Sequence, residues 1–288
     1  MLFMPGIINW DELWKATHAN GFRHHGKNLA AHWDSRAELF NKRVMKNRER
    51  AESQVAFLGL SSSETVLDVG AGTGRLALPM ARRVKSVTAL DQSAGMLSCL
   101  RENMVAEDLE NIRCIHKSWQ DISPDELEPH DVVLSSNSLS VYDLREALAK
   151  MDSLAKRAVY IFTFVDGKRD DGLRDFLRGS KDGRDGELGR HKRQEAGPAG
   201  YLIMYNLLAD MGILADIRIM QWHWTEHFSS LDEAVAEWKQ MYEVPVEKEP
   251  DLREFISQRL VEDENGLSMH RHHKQALISW QKGEPLPT

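Results

Sequence analysis

The chain has 288 residues, 42% of them hydrophobic and 28% charged, with a formal net charge of −7. That balance describes a globular chain with one full domain and elaborations, and it argues against a whole-chain electrostatic grip on nucleic acid. Two cysteines, Cys99 and Cys114, exclude a disulfide framework or a cysteine-ligated cluster and suit a reducing compartment. Residues 1–7 are apolar but too short for a leader, without a basic lead or cleavage site. No stretch reaches membrane-spanning length, so a cytoplasmic location without membrane contact is expected.

Asn9 with Glu12 three residues on has the form of a capping box, opening a helix that Gly21 is expected to stop. A second helix is expected from about Leu29 through the basic stretch 42–50, with Trp33, Ala37 and Phe40 on one face. It continues to residues 57–58 and ends at Gly59. A strand then runs over residues 65–69 and breaks into Gly70, Gly72 and Gly74, followed by a helix over 76–84 that contains Pro79. Residues 87–91 form the second strand. Ser93 caps a helix over 94–105, with Met96 one turn in.

The stretch Thr65-Val66-Leu67-Asp68-Val69-Gly70-Ala71-Gly72-Thr73-Gly74 organises the rest. Three glycines at alternate positions before a helix describe a turn moulded around a small molecule, because glycine allows positive φ and close approach to bare backbone. The spacing is not the G-x-G-x-x-G of dinucleotide binders, and Arg75 stands where that pattern asks for glycine. A phosphate loop is excluded because no Lys-Ser or Lys-Thr follows. Asp68, two residues before the first glycine, repels a pyrophosphate and attracts an ammonium group. A nucleoside with a cationic tail fits.

Asp68 to Gly74, followed by Val87-Thr88-Ala89-Leu90-Asp91, resembles the class I S-adenosylmethionine-dependent methyltransferases over roughly residues 30–165. The resemblance implies an α/β fold: a seven-stranded, mostly parallel Rossmann-like sheet with an antiparallel last strand, helices on both faces and an N-terminal helical cap. It implies S-adenosyl-L-methionine as cofactor, with Asp91 on the ribose hydroxyls and Asp121 on the adenine amino group. Trp119 or Gln120 would lie against the ring. Gly70, Ala71, Gly72, Gly74, Gln92 and Met96 belong to the same cofactor set. The segment 32–40, with Trp33, resembles a helix that closes over the cofactor in many small-molecule methyltransferases. A plain amphipathic helix at the sheet edge explains it equally well.

The third strand is expected over 111–117 and the fourth over 131–136. The first and fourth flank the topological switch point, so Ser136 to Tyr142 faces the methyl donor. No proline occupies that loop, unlike the Asn/Asp-Pro-Pro-aromatic loop of amino-methylating nucleic-acid enzymes. A helix over 143–154 and a strand over 158–165 follow. Residues 167–198 mix charges and glycines and form an insertion, read foremost as a solvated loop, whose Arg174, Arg178, Arg190, Lys192 and Arg193 would alternatively suit an anionic substrate. Then come a helix over 201–211 stopped by Gly212, a strand over 213–227, helices over 231–242 and 251–261, and a last strand over 274–281. The last strand is expected antiparallel beside the fifth. The domain division expected is a cap over 1–58 and a methyltransferase domain over 59–288, with the insertion and a helical elaboration over 230–265.

Methyl transfer from a sulfonium needs orientation and water exclusion, and a base only if the acceptor must first lose a proton. Candidate bases are Tyr142, His223 and His32; each histidine alone reads more simply as a surface side chain. The run 270–273 has no spaced carboxylate or cysteine partners and reads as a solvated turn, not a metal site. Radical chemistry on the same cofactor and metalloid methylation both need more cysteines than the chain has. A small-molecule acceptor is the leading expectation. An RNA or protein methyltransferase of the same fold, or a silent S-adenosylmethionine-binding sensor or partner protein, stands beside it.

Overall fold

The computed structural model describes residues 8–25, 29–165, 172–177, 200–264 and 266–283. The chain divides into two compact units: residues 1–164, 200–220 and 275–288 form the first, and 165–199 with 221–274 the second. The strands are β1 (Thr65–Val69), β2 (Ser86–Asp91), β3 (Ile112–His116), β4 (His130–Ser136), β5 (Ala155–Phe164), β6 (Asp216–Phe228), β7 (Val261–Asp263) and β8 (Gly266–Gln281). The described helices are α1 (Trp10–His25), α2 (Leu29–Asp34), α3 (Ala37–Lys46), α4 (Arg48–Ala56), α5 (Ala77–Ala81), α6 (Ala94–Ala106), α7 (Leu144–Leu154), α8 (Leu173–Leu177), α9 (Gly200–Asp210), α10 (Leu231–Tyr242) and α11 (Glu249–Ser257).

Strand order is β3-β2-β1-β4-β5-β8-β6, with β7 paired to β8 off that path. β1 to β5 pair in parallel and β8 runs antiparallel to β5, with Phe162 opposite Leu277 and Phe164 opposite Gln275. The expected seven strands are present, and a turn near residue 264 folds β7 back on β8 to add an eighth. The order reverses between β1 and β4, which leaves a crevice at their C-terminal ends.

The pleat sorts side chains by parity. On one face Leu67, Val69, Val133, Val159, Ile161, Ile278 and Trp280 share a core with Trp14 of α1, Leu148 of α7 and Leu207 of α9. The other parity carries Val66, Asp68, Leu134, Ser136, Tyr160, Phe162, Gln275 and Leu277. On that side Tyr160 donates its hydroxyl to the carbonyl of Leu58, just past α4, at 3.1 Å. α3 packs on α6, and α4 on α5.

Local signals are obeyed at most ends. Ser93 accepts from the amide of Met96 and Asp143 from that of Glu146, each capping its helix. Pro79 sits in the first turn of α5, where its missing N–H costs nothing. Three expectations are corrected. Gly21 does not stop α1, which runs to His25. The single helix expected from 29 to 57–58 is broken at residues 35–36 and at Asn47 into α2, α3 and α4, so that α2 and α3 pack on α6 and α4 on α5. β8 begins at Gly266, not near residue 274, so the 270–273 run lies in a strand: Arg271 is buried while His270 and His272 are exposed.

The second unit has its own core of Phe228, Val235, Trp238, Leu252, Phe255, Ile256 and Met269. Ser230 caps α10 by accepting from the amide of Glu233. Arg271 bonds Glu226 at 2.9 Å and lies over the Trp238 ring at 4.6 Å, a paired and stacked burial that lowers the cost of its charge. Of the 167–198 insertion only 172–177 is described, including α8; the rest lies outside the described residues.

In the first unit, the buried indole of Trp14 donates to the carbonyl of Val141 at 2.9 Å, tying α1 to the loop between β4 and α7. Trp14→Phe is expected to cost about 1–2 kcal/mol, because that carbonyl loses its donor. Urea denaturation checks this, with an unchanged midpoint against it.

Candidate functional site

The glycine turn lies at the end of β1, beside the strand-order reversal. Gly70, Gly72 and Gly74 all have positive φ (73°, 58° and 90°), but for different reasons. A Cβ on Gly70 would sit 2.2 Å from that of Ser138, and one on Gly74 2.4 Å from Leu100 Cδ1. These two glycines make room for the protein itself. A Cβ on Gly72 would meet only Phe40, at an ordinary 3.8 Å, so its bare backbone borders open space. The amides of Gly70 and the buried Ala71 donate to the carbonyl of Leu90 at 2.8 and 3.0 Å, which docks the turn on the end of β2.

Asp91 completes that docking. Its Oδ2 accepts the amide of Gly72 and its Oδ1 that of Ser93, both at 2.8 Å. Burial raises its pKa, although both amides and His116 favour the charged form. Asp34, at the end of α2, accepts from the Ser93 hydroxyl at 2.6 Å and from the amide of Gly95 at 2.8 Å. Those bonds hold its pKa below the usual carboxylate range, the Ser93 hydroxyl contributing most. The cap segment is thereby fastened to the start of α6. Trp33 meets Phe40 edge-on at 5.8 Å and His32 at 5.5 Å, and Trp33 and Phe40 pack against buried Met96. Gln92 is half-buried, and its carbonyl bonds His116 at 3.0 Å.

Asp68 is fully enclosed, with its pKa pushed up to about 7 by burial, against the nearby Arg75 charge and helped by Asp91. Arg75 keeps partial exposure, yet burial of its guanidinium lowers its pKa to about 10. It donates to Gln54 of α4 and to the Ser136 hydroxyl, the latter at 2.7 Å. Asn137 has φ of 57° and donates its amide to the carbonyl of Phe162 at 2.8 Å, so the end of β4 is a fixed left-handed kink.

At the far end of the crevice Trp119 is buried in the core, while Gln120 and Asp121 are exposed. Lys150 of α7, itself buried, donates to the carbonyls of Trp119 at 2.9 Å and Ile122 at 2.7 Å and lies 5.2 Å over the Trp119 ring. Trp119, Gln120, Tyr142, Glu146 and Lys150 line an open recess. Tyr142 is 54% exposed, its ring 5.7 Å from the ammonium of Lys15.

Residues 66–158 match a family described as a methyltransferase domain. An uncharacterized protein of Haemophilus influenzae is 28% identical over 254 residues, covering 86% of this chain and 88% of its own length. The YcgJ protein of Bacillus subtilis has a TM-score of 0.52 at 15% identity, covering 82% of this chain and 100% of that one. A Bacillus halodurans protein described as a candidate methyltransferase gives a TM-score of 0.51 at 15% identity, covering 81% and 99%. Residues 66–158 are thus similar to a methyltransferase domain, and the two Bacillus structures share the fold.

Within this methyltransferase fold the structure brings together Gly72, Asp91, Met96 and Trp33, with Asp68 under the same turn. Gln120 and Tyr142 line the recess together, and Asp121 follows in the same loop. His32 is half-buried beside Trp33, whereas His223 belongs to the second unit, where it is exposed. Among the described residues no group of three or more His, Cys, Asp or Glu is placed to hold a metal, and no helix is long and apolar enough to cross a membrane. Sequence reasoning missed Asp34, Gln54, Lys150 and Gln275. None left a local signal, because each acts through contacts remote in sequence.

Gly70→Ala is expected to destabilise the fold by about 2–4 kcal/mol, because it adds a backbone-level clash to a strained φ. Gly59→Ala, also at positive φ but with nothing within 4 Å, is expected to cost only about 1 kcal/mol. Equal losses in thermal or urea unfolding would contradict the close approach to Ser138.

Proposed function

We propose that the chain is an S-adenosylmethionine-dependent methyltransferase that passes the methyl group in line to a small-molecule acceptor. The observation that carries this reading is the state of Asp91. Each carboxylate oxygen accepts one backbone amide, which fixes the group and leaves a further lone pair on each oxygen. Two adjacent acceptors of fixed spacing match the vicinal hydroxyls of a ribose. The residues around it suit the remaining parts of the donor. Gly72 gives it bare backbone to lie against, in a turn shaped by Gly70, Ala71 and Gly74, and Asp68 takes the ammonium. Met96, Gln92 and Trp33 flank the nucleoside, Trp119 and Gln120 the ring, and Asp121 the adenine amine. Ser136 faces the donor.

When bound, the donor supplies an already activated methyl group on a sulfonium. The chain's own work is then to orient and to exclude water. The α2–α3 segment, fastened by Asp34 and carrying Trp33 and Phe40, serves that exclusion. A proton is taken only from an acceptor that holds one, and Tyr142, His32 and His223 are the candidate bases. The net charge of −7 favours a small acceptor over a polyanion.

Incubating the protein with donor and fractionated cell extract, and measuring S-adenosylhomocysteine, tests the reading. Donor binding without product in any fraction leaves a silent binder instead, and product only with an RNA or protein fraction replaces the small acceptor.

Asp91→Ala is expected to weaken S-adenosylhomocysteine binding about 10- to 100-fold, from the loss of two charge-assisted bonds. Calorimetry reads this, and unchanged affinity removes Asp91 from the ribose.

The raised pKa of Asp68 gives a pH dependence. An ammonium pairs with the ionised carboxylate, so donor affinity is expected to rise about tenfold from about pH 6 to about pH 8, and Asp68→Asn to flatten the profile. Stability of the free protein moves the opposite way. The contribution of the neutral carboxyl is full below the ordinary carboxylate range and is lost as pH rises through about 7. A wild-type affinity that does not vary with pH would remove Asp68 from the ammonium.

A further inference from the structure

Hydrogen bonds beneath the end of β4 impose a polarity on it. A guanidinium only donates. Arg75 donates Nη1 to Oε1 of Gln54, so the Gln54 amide must turn its nitrogen the other way. There Nε2 donates to Oε1 of Gln275 at 2.6 Å. Gln275 is oriented in turn, and its Nε2 donates to Oδ1 of Asn137 at 3.3 Å. Both glutamines are 0% exposed, so turning either amide over would leave buried groups facing like groups with no water to relieve them. The series ends with the Asn137 oxygen occupied and its amide hydrogens left to offer. A second branch gives the same result. Arg75 Nη2 donates to Oγ of Ser136, which leaves the serine hydroxyl hydrogen to offer.

Two consecutive residues at the switch point are thus held as donors by one cation. Ser136 is on the pleat face of Asp68 and Gln275, and Asn137 is locked in its left-handed conformation by the carbonyl of Phe162. Two adjacent donors backed by a guanidinium favour a two-oxygen anion over a cation or an apolar group. We propose that Ser136 and Asn137 form a carboxylate-binding subsite, kept in the donor state by Arg75 acting through Gln54 and Gln275. The proposal rests on the methyl-donor reading above. The carboxylate is either that of the donor's methionine moiety or one on the methyl acceptor. Arg75, Gln54 and Gln275 are positioning residues.

Two variants test it. In Gln54→Glu the new carboxylate pairs with Arg75 but cannot donate to Gln275. Gln275 then turns over, Asn137 donates to it, and the asparagine presents oxygen in place of nitrogen. The ligand-contacting residues are unchanged in that variant, so a purely structural role for Gln54 would leave ligand preference alone. Asn137→Asp makes the same reversal directly, at a half-exposed position where aspartate tolerates the left-handed conformation. Calorimetry with S-adenosylhomocysteine and with its decarboxylated analogue reads the first source. Turnover on a low-mass extract fraction retained by an anion exchanger reads the second.

A wild type that prefers S-adenosylhomocysteine over the analogue, with both variants losing about tenfold or more of that preference, assigns the subsite to the donor's carboxylate. A wild type that binds both alike, with variants that bind normally but lose about tenfold or more of turnover, assigns it to the acceptor. Variants with unchanged preference and turnover overturn the subsite while leaving the donor assignment standing. A wild type that binds neither ligand overturns the donor assignment and the subsite with it.

Discussion

The Asp91 carboxylate is the constraint on which the site depends. It accepts the amide of Gly72 on one oxygen and that of Ser93 on the other, so one side chain joins the glycine turn after β1 to the start of α6. Ser93 in turn caps α6 and donates to Asp34, which brings the cap segment to the same point. Loop, helix and cap therefore share one anchor. A carboxylate bound this way loses rotational freedom before any ligand arrives, so less ordering is left to offset on binding.

The charges beneath the turn are arranged with similar economy. Burial alone would leave Asp68 neutral, and Arg75 works against that, so the carboxyl is poised near neutrality, not fixed in either state. The same guanidinium sets the direction of two buried glutamine amides. Buried amides cannot average over orientations as exposed ones do, because each unmatched group keeps its full desolvation cost. One fixed donor can thus decide which atom appears several side chains away.

The site residues differ in how legible they were. The glycine spacing and the acids at positions 68 and 91 stood in the sequence because they serve local geometry: a sharp turn and the ends of two adjacent strands. Breaks in the N-terminal helices were hidden, since residues 35–36 and 47 carry neither proline nor glycine and the chain bends there to pack on α6 and α5. Gly21 misled in the opposite sense: glycine lowers helix propensity by about 1 kcal/mol, which neighbouring helical residues and packing override. The 270–273 run looked like a turn because its polarity hid a strand whose alternate member, Arg271, is buried against Glu226 and Trp238.

By itself the sequence determined the α/β class, the positions of the strands and the glycine turn, which follow from short-range periodicity, turn chemistry and spacing; the mostly parallel sheet and its antiparallel last strand were implied by the family resemblance. Tertiary structure alone decided what lies under the end of β4. Gln54 and Gln275 are 221 residues apart, and a glutamine carries no mark of which amide atom it will turn toward a neighbour. That choice exists only once the pleat of β8 and the buried face of α4 bring Gln275 against Gln54 and Gln54 against Arg75. It fixes the end of β4 as a hydrogen-bond donor, a property that no local pattern encodes.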